Sequence, residues 1–274
     1  MLKEMFENVK KKTPLIHCIT NYVTVNDCAN ILLACGGSPI MSDDAAEVEE
    51  ITSICNALVI NIGTLNQRTI SSMLLAGKKA NELNHPVILD PVGVGASKLR
   101  NETAEKLLEE IKFQIIRGNI SEIKMLALGN GTTKGVDADI ADVVTSETLD
   151  SVIAFAKEFS KKTGAVIAIT GAIDIVCDKN NAYVIYNGHP MMSRITGSGC
   201  MLTVMMGAYL AANQENPLEA AASAVCAMGI CGELAYEKLE ETGAGNSTYR
   251  NYLIDEICNL TADKFERGAK YEVR

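Results

Sequence analysis

The chain has 274 residues, of which 47% are hydrophobic, 22% charged and 5% aromatic, and its formal net charge is −9. This composition is that of a globular protein with a large core. The negative net charge does not favour binding to nucleic acid or to a membrane surface, both of which are anionic. No C-x-x-C pair occurs among the nine cysteines and no signal peptide precedes them, which predicts reduced thiols and a cytoplasmic location. Because Glu219 and Glu233 interrupt the Ala-rich segment after Pro217, we expect no membrane span.

Apolar runs alternate with amphipathic segments through the first half of the chain. Strands are predicted over 14–20, 38–41, 57–63 and 86–90, and helices over 1–12, 27–33, 45–54, 67–83 and 101–112. The run over 57–63 is typical of a parallel strand that is buried on both faces. Residues 42–44 are predicted to cap the third helix. Strands that alternate with helices in this way imply right-handed βαβ units and a parallel sheet.

The second half continues the alternation and then becomes helical. A strand from Ile115, a helix from about Ser121, a glycine-punctuated loop through Gly135, a helix over 147–162 and a strand over 165–171 are predicted. Residues 174–178 and 182–186 read as a hairpin that gives the sheet an antiparallel edge. Helices follow over 199–212, from an Asn216 cap with Pro217 and Glu219 to about 241, and over 249–267. No internal repeat or low-complexity linker occurs, so a single α/β domain over 1–274 is expected, with a central mostly parallel sheet flanked by helices on both faces.

The segment over 194–203 contains two glycines that lead directly into an apolar helix. Gly197 and Gly199 lack a Cβ, so the backbone N–H groups around Ser198 can converge on one ligand. The positive end of the following helix favours a phosphate at the same place. Cys200 lies in the first turn, where the helix dipole favours a thiolate and makes the side chain a plausible proton acceptor. The alternative is a plain loop before a core helix with an ordinary buried cysteine.

Polar residues follow the predicted strands at their carboxyl ends, where ligands collect in open parallel sheets. Asp90 ends one strand, Arg117 and Asn119 end the next with Glu122 close behind, and Thr170 ends a third. Two acids, an arginine and an anion-binding turn suit phosphoryl transfer, since carboxylates hold Mg²⁺ and an arginine can clamp the transferred group. This reaction asks little of a base, which makes a thiol tolerable there.

Each of these residues also has an alternative, purely structural role. Asp90 precedes a proline and could open a turn, Arg117 could form a surface ion pair, and Glu122 lies where any first helical turn favours an acid. His17 and Cys18 are neighbours in a predicted strand and must face opposite sides of the sheet. We therefore expect a structural role for His17 and no metal site made by cysteines.

The chain resembles the hydroxyethylthiazole kinase family of thiamine biosynthesis, within the ribokinase-like superfamily. The matching segments lie in the family's order at 14–24, 89–97, 117–119, 121–123, 134–137, 187–190 and 196–200. The resemblance implies a ribokinase-like fold and ATP-dependent phosphorylation of the hydroxyl of 4-methyl-5-(2-hydroxyethyl)thiazole, with Mg²⁺ as cofactor. It also implies a homotrimer whose active sites lie between subunits.

The resemblance further implies a role for individual residues. Cys200 would take the catalytic position that many relatives fill with Asp. The remaining roles are an anion hole at Gly197, Ser198 and Gly199, ATP binding by Arg117, Asn119 and Thr170, magnesium-side acids at Asp90 and Glu122, and a thiazole pocket from Asn21, Val23, Met41 and Gly197. The chain departs from the family at 243–249, where a Gly-Pro-Gly-Ser-Phe type of segment is expected.

Three alternative functions, which differ in class, remain open. A hydroxymethylpyrimidine kinase would share the fold and phosphorylate a pyrimidine alcohol instead. An ADP-dependent hydrate dehydratase of this fold is a lyase, for which Cys200 in place of Asp is a poor match. A non-catalytic trimeric protein would bind the thiazole or the nucleotide without consuming ATP.

Overall fold

The computed structural model describes residues 1–129 and 143–274, and these form eleven α-helices and nine strands. The helices are α1 Leu2–Lys12, α2 Val25–Cys35, α3 Val48–Ile54, α4 Gln67–Glu82, α5 Lys98–Glu110, α6 Ile120–Leu128, α7 Leu149–Thr163, α8 Ser198–Ala212, α9 Pro217–Thr242, α10 Asn246–Asn259 and α11 Ala262–Gly268. The strands are β1 Leu15–Ile19, β2 Ser38–Met41, β3 Ala57–Asn61, β4 Val87–Asp90, β5 Ile115–Gly118, β6 Val166–Ile169, β7 Asp174–Cys177, β8 Ala182–Ile185 and β9 Tyr271–Val273. The predicted loop through Gly135 and the 134–137 segment of the resemblance lie outside the described residues.

All nine strands pair in one sheet, in the order β2-β1-β3-β4-β5-β6-β7-β8-β9. The pairs from β2 to β6 are parallel, and β7, β8 and β9 add antiparallel strands at one edge. The predicted α/β architecture and its antiparallel hairpin are therefore confirmed. Strand β9 was not predicted, because its three largely exposed residues carry no apolar pattern and pairing with β8 alone defines it.

Helices cover both faces of the sheet, and alternate strand residues point to one face or the other. Ile16, Val59 and Ile88 pack into a cluster with α1, α2 and α8 to α11. Leu58 and Leu89 pack into a second cluster with α3 to α7. Helix α8 is buried almost all round, as expected for a helix without a polar face. The layers thus place the N-terminus of α8 beside the carboxyl ends of β1, β3 and β4.

Two predicted helix starts differ from the structure. Helix α3 begins three residues later than expected, because the Asp44 carboxylate accepts a hydrogen bond from the backbone N–H of Ala46 and forms a turn of its own. Glu47 is then the N-cap and makes no side-chain capping bond. Asn216 is the N-cap of α9 as predicted, but its side chain makes no capping hydrogen bond.

The predicted C-terminal helix is divided into α10 and α11. Thr261 separates them and caps α11 by accepting a hydrogen bond from the backbone N–H of Lys264 at 3.2 Å. The change of direction lets Phe265 stack on Phe6 of α1, with ring centroids 5.3 Å apart. The amphipathic pattern over 249–267 is continuous across this break, which explains why one helix was expected.

Helix α9 is, in the part of the chain that the structure describes, the single helix long and apolar enough to cross a membrane by length and composition. Glu219 and Glu233 alone therefore do not exclude such a segment. However, 83% of its most apolar 18-residue window is buried inside the structure, as in the core helix of a globular domain. Glu233 accepts hydrogen bonds from the Asn187 side chain and the Gly188 N–H at 3.1 and 3.0 Å.

Candidate active site

The turn at Gly197–Cys200 joins two other parts of the chain. Gly197 is the N-cap of α8 with φ +85°, a conformation that favours glycine, and a Cβ there would lie 2.5 Å from Cγ2 of Thr24. A Cβ on Gly199 would lie 2.4 Å from Nη1 of Arg117. Both glycines are thus required by neighbouring side chains, which the sequence pattern did not show. No side chain caps α8, so its first N–H groups remain suited to an anion.

The thiol of Cys200 is held by two amide groups. The Nδ2 atoms of Asn21 and Asn61 both donate to Sγ of Cys200 at 3.3 Å. Asn61 Nδ2 also donates to Oδ2 of Asp90 at 2.9 Å, and Asn61 Oδ1 accepts from Asn21 Nδ2 at 3.1 Å and from the N–H of Gly63 at 2.8 Å. The backbone donor at Gly63 fixes which end of the Asn61 amide faces Cys200.

The ionisation of Cys200 differs from the expectation. Its side chain is only 8% exposed, and burial raises the pKa of the thiol above its ordinary value. The negative charge of Asp90 raises this pKa further, and hydrogen bonds from Thr24, Asn21 and Asn61 offset only part of the effect. The prediction that the helix N-terminus lowers the pKa of Cys200 is therefore wrong, and the neutral thiol is its resting form at neutral pH.

Asp90 is fully buried at the end of β4. Its Oδ2 accepts hydrogen bonds from Asn61 and, at 2.8 Å, from Oγ1 of Thr203. Its Oδ1 has no hydrogen-bond partner among the described residues and lies 3.7 Å from Nη1 of Arg117. Burial raises the pKa of Asp90 to about 6, although Arg117 and Thr203 pull it down. One buried carboxylate oxygen is thus available to a ligand.

A cavity of about 660 Å³ lies on the other side of Arg117. Its wall includes all three residues predicted to bind ATP, namely Arg117, Asn119 and Thr170, together with Ser198 and Gly199 of the turn. Arg117 Nη2 donates a hydrogen bond to Oγ1 of Thr170. The structure therefore brings the three predicted nucleotide-binding residues to one cavity with Ser198 and Gly199, whereas Gly197 of the predicted anion hole does not line it. Their roles in binding remain predictions.

Glu122 has both carboxylate oxygens engaged by backbone donors. Oε1 accepts from the N–H of Gly93 and Oε2 from the N–H of Asn119, each at 2.8 Å, and Asn119 Oδ1 accepts in return from the N–H of Glu122. This is a capping box at the start of α6. Within 1–129 and 143–274 no three His, Cys, Asp or Glu side chains cluster as a metal site. The roles of Asp90 and Glu122 toward magnesium therefore remain predictions.

The predicted thiazole-binding residues are divided between the interior and the surface. Asn21 is buried beside Cys200, and Gly197 packs against Thr24 in the same region. Met41 ends β2 and is half-buried against the first core cluster, whereas Val23 is 55% exposed. Neither of the last two contacts Cys200 through a hydrogen bond, so their role in binding the thiazole remains a prediction.

Asn61, Thr203 and Asp174 belong to the site region and were missed in the sequence. Asn61 interrupts an apolar strand at its carboxyl end, and Thr203 is a hydroxyl within an apolar helix. Both are polar residues in buried elements, which is a usable signal. Asp174 starts a strand of the predicted hairpin, and no pattern in the sequence distinguishes it from the other acidic residues there. The expected structural role of His17 is confirmed, since its ring nitrogens bond to Thr52 Oγ1 and the Ser42 carbonyl oxygen.

The divergent segment over 243–249 comprises the turn between α9 and α10 and the first turn of α10. Gly243 ends α9 in the left-handed conformation with φ +64°. Asn246 in the first turn of α10 donates from Nδ2 to the carbonyl oxygen of Arg194 at 3.2 Å. The segment therefore supports the short 3-10 helix Pro190–Arg194 that precedes the Gly197 turn.

Comparison with known proteins agrees with this geometry. The model of the "Hydroxyethylthiazole kinase family" matches residues 6–263. The chain is 70% identical to a hydroxyethylthiazole kinase of Clostridium acetobutylicum over 272 residues, 99% of each chain. It superposes on the hydroxyethylthiazole kinase protein of Pyrococcus horikoshii with a TM-score of 0.89 and 32% identity, covering 100% of this chain and 98% of the other. A ribokinase-like superfamily protein of Enterococcus faecalis shares the fold, with a TM-score of 0.61, 12% identity and 94% of both chains covered. The chain belongs to the hydroxyethylthiazole kinase family and has a ribokinase-like fold.

Proposed function

We propose that this chain phosphorylates the hydroxyl of hydroxyethylthiazole in thiamine biosynthesis, with ATP as the phosphoryl donor. The observation that carries the proposal is the position of the Gly197–Cys200 turn. Its N–H groups and Arg117 face the nucleotide cavity, while Cys200 faces the buried amides of Asn21 and Asn61. A phosphoryl group held on one side of this turn would meet an alcohol held on the other.

Positioning and charge stabilisation are the main requirements of phosphoryl transfer. Arg117 supplies two guanidinium donors for phosphate oxygens, and the N–H groups of Ser198 and Gly199 stabilise the charge that develops in transfer. Cys200 orients the substrate hydroxyl and, as thiolate, accepts its proton. The two amide donors stabilise the negative sulfur, which offsets part of the effect of burial on the pKa of Cys200.

We also propose Mg²⁺ as the cofactor, with Asp90 as its main carboxylate. The buried and unpartnered Oδ1 of Asp90 next to Arg117 supports this assignment. A magnesium ion held by Asp90 would supply positive charge that offsets the charge of the ATP phosphates. In that arrangement Glu122 fixes the Gly93 loop that follows Asp90, whether or not it also binds the ion through water.

A homotrimer with shared active sites remains part of the proposal. The large exposed fractions of Tyr22 (79%) and Val23 (55%), adjacent to the buried Asn21, support a partner surface at this point. Light scattering should then give about 88 kDa, three times the 29.4 kDa of one chain. A fully active monomer would exclude the shared site.

We also propose a cytoplasmic location. All nine cysteines are unpaired, which supports a reducing compartment such as the cytoplasm.

A coupled assay of ADP release tests the proposed activity directly. ADP should form with ATP, Mg²⁺ and the thiazole alcohol, and not when the alcohol is omitted. Hydroxymethylpyrimidine in parallel separates the pyrimidine-kinase alternative, since preferred turnover of that alcohol would reject thiazole as the substrate. Binding of both ligands without ADP release would instead indicate a non-catalytic protein.

A further inference from the structure

Asp174 is an acidic residue in the wall of a cavity that is otherwise built for an anion. It begins β7 and lines the 660 Å³ cavity together with Arg117 and Thr170. Its Oδ1 accepts a hydrogen bond from the N–H of Gly171 at 2.9 Å, whereas Oδ2 has no hydrogen-bond or ion-pair partner among the described residues. The carboxylate thus has one oxygen fixed by the loop and the other free for a ligand.

Two parts of the cavity wall differ in their chemistry, and Asp174 lines the same cavity as both. Arg117 with the Ser198–Gly199 turn forms a cationic part for phosphates, while Met192, Val225 and Met228 provide an apolar part. Asp174 is close enough to both parts for its charge to affect each of them. Burial raises the pKa of Asp174, and the Gly171 N–H and the charge of Arg117 oppose this effect. Burial and then the charge of Asp174 raise the pKa of Cys226, the neighbour of Val225.

A carboxylate at this position repels phosphate oxygens, so the part of the nucleotide that faces it must offer hydrogen-bond donors. Between the phosphates and the base of a ribonucleotide, the only donors are the ribose hydroxyls. Acidic side chains are suited to these hydroxyls because a carboxylate oxygen accepts two hydrogen bonds. Burial raises the pKa of Asp174 to about 7, whereas the Gly171 N–H and Arg117 favour the ionised form, which accepts hydrogen bonds from hydroxyl groups.

We propose that Asp174 accepts hydrogen bonds from the ribose hydroxyls and makes the site selective for ribonucleotides. The inference rests on the proposed use of ATP and adds a specificity residue to it. Asp174 is not placed at the reacting atoms, so its loss should change nucleotide choice more than turnover at saturating ATP.

The test compares ATP with 2′,3′-dideoxyATP, which lacks both hydroxyls. We expect the native enzyme to prefer ATP in kcat/KM by about ten- to a hundredfold, the range for hydrogen bonds to a charged group. In Asp174→Ala and Asp174→Asn the preference should fall to about threefold or less, mainly through a higher KM for ATP. The asparagine variant keeps an oxygen that can accept from the Gly171 N–H. It therefore tests the nucleotide preference even if the alanine variant does not fold.

Asp178→Asn is the matched control. Asp178 also accepts backbone hydrogen bonds, from Asn180 and Asn181 at 2.7 Å, but lies in the hairpin turn and does not line the cavity. This variant should keep the native nucleotide preference. If the Asp174 variants also keep it, or lose activity equally with both nucleotides, the proposal is rejected.

A binding measurement separates this proposal from the proposed function. Calorimetry with ADP and 2′,3′-dideoxyADP needs no thiazole and no turnover. If thiazole is not phosphorylated but native protein binds ADP more tightly and Asp174→Asn loses that difference, the function fails and the role of Asp174 stands. Equal affinity of the native protein for both nucleotides overturns the role of Asp174 even if the kinase activity is found.

Discussion

The two ends of the sheet each carry a cavity, and they differ in how their polar atoms are satisfied. At the amino ends of the strands, a cavity of about 460 Å³ is lined by Asn81, Lys112 and Lys162 among others. Asn81 there bonds both the N–H and the carbonyl of Lys112, at 2.7 and 3.0 Å. At the carboxyl ends, Asp90 is fully buried with one oxygen unpartnered among the described residues. Chemistry is thus indicated by buried polar atoms without protein partners, and not by the presence of a cavity.

Two asparagines, one at each end of the sheet, also differ in what their side chains bind. Asn81 closes a helix end by pairing with backbone, as asparagine often does near the surface. Asn61 is buried and links Cys200 to Asp90 through its amide. If this difference is functional, substitutions at the carboxyl end should change kinetics, and those at the amino end should change stability alone.

The largest expected effect is at Cys200. Cys200→Ala removes the proton acceptor but keeps the anion-binding turn, so turnover should fall by about 10² to 10⁴, the usual weight of a general base. Cys200→Asp should retain or raise turnover, because a carboxylate is ionised at neutral pH and accepts the same two amide donors. Steady-state kinetics with saturating ATP measure both variants.

The pH dependence sharpens the prediction for Cys200. Because the pKa of the thiol is raised, native turnover should increase toward alkaline pH, whereas the Cys200→Asp enzyme should lack this rise. Cys258→Ser is the control, since Cys258 is an exposed cysteine far along α10. Native turnover in Cys200→Ala would make Cys200 a packing residue, and an inactive aspartate variant would indicate a steric role.

Gly199→Ala should have the next largest effect. The φ of Gly199 is not in the left-handed region, and alanine is favourable in a helix, so the backbone tolerates the change. The new Cβ, however, would lie 2.4 to 2.9 Å from the Arg117 guanidinium and would displace it. We expect kcat/KM for ATP to fall by about ten- to a hundredfold. Arg117→Lys should give a similar loss, because lysine cannot donate in a bidentate manner.

Gly245→Ala serves as the control for Gly199→Ala. Among residues 1–129 and 143–274, no atom outside its chain neighbours lies within 4 Å of a Cβ built on Gly245, whose φ is −102°. This variant should keep native kinetics. If Gly199→Ala and Arg117→Lys leave both the ATP affinity and turnover unchanged, Arg117 does not bind the nucleotide.

Asp90→Asn should change stability with a characteristic pH dependence. The pKa of Asp90 is raised to about 6 from 3.8, so the native state binds more protons than the unfolded state between these values. Stability from this group therefore falls as pH rises from about 4 to 6 and stays lower above it. Relative to native protein, the asparagine variant should gain on the order of 1 to 3 kcal/mol of unfolding free energy between pH 4 and 7. Urea unfolding of both proteins at pH 4 and pH 7 provides the measurement. If the unfolding free energies of the variant and the native protein differ by the same amount at both pH values, the prediction is contradicted.

The smallest effect is expected at the opposite end of the sheet. Asn81→Ala removes the two hydrogen bonds to Lys112 and should lower the unfolding free energy by about 1 to 2 kcal/mol. Kinetic constants for ATP and the thiazole alcohol should stay within about twofold of native. A clear loss of activity would show that the two ends of the sheet are not functionally separate.

Much of the fold was predictable because it depends on local patterns. The apolar run that became β3 and the capped start of α6 are encoded within a few residues. The division between α10 and α11 was not predictable, since it depends on Phe265 reaching Phe6 across the chain. Strand β9 likewise depends on its partner and not on its own residues.

The candidate site was predictable where polar residues end parallel strands, as for Asp90, Arg117 and Thr170. The reason for the two glycines was not, because it lies in the Thr24 and Arg117 side chains that occupy the space of the missing Cβ atoms. The raised pKa of Cys200 could not be predicted from the sequence either. A helix N-terminus can be read from a pattern, whereas burial and the charge of Asp90 belong to tertiary structure.

The helices on the two faces of the sheet come from different parts of the chain, so the two faces become covered at different times during synthesis. Helices α3 to α7 follow their strands directly, so one face of the sheet can be covered as the ribosome proceeds. The other face, with Ile16, Val59 and Ile88, needs α8 to α11 from the last part of the chain. Nascent chains released before α8 should therefore expose an apolar sheet face and depend on chaperones, whereas full-length chains should not.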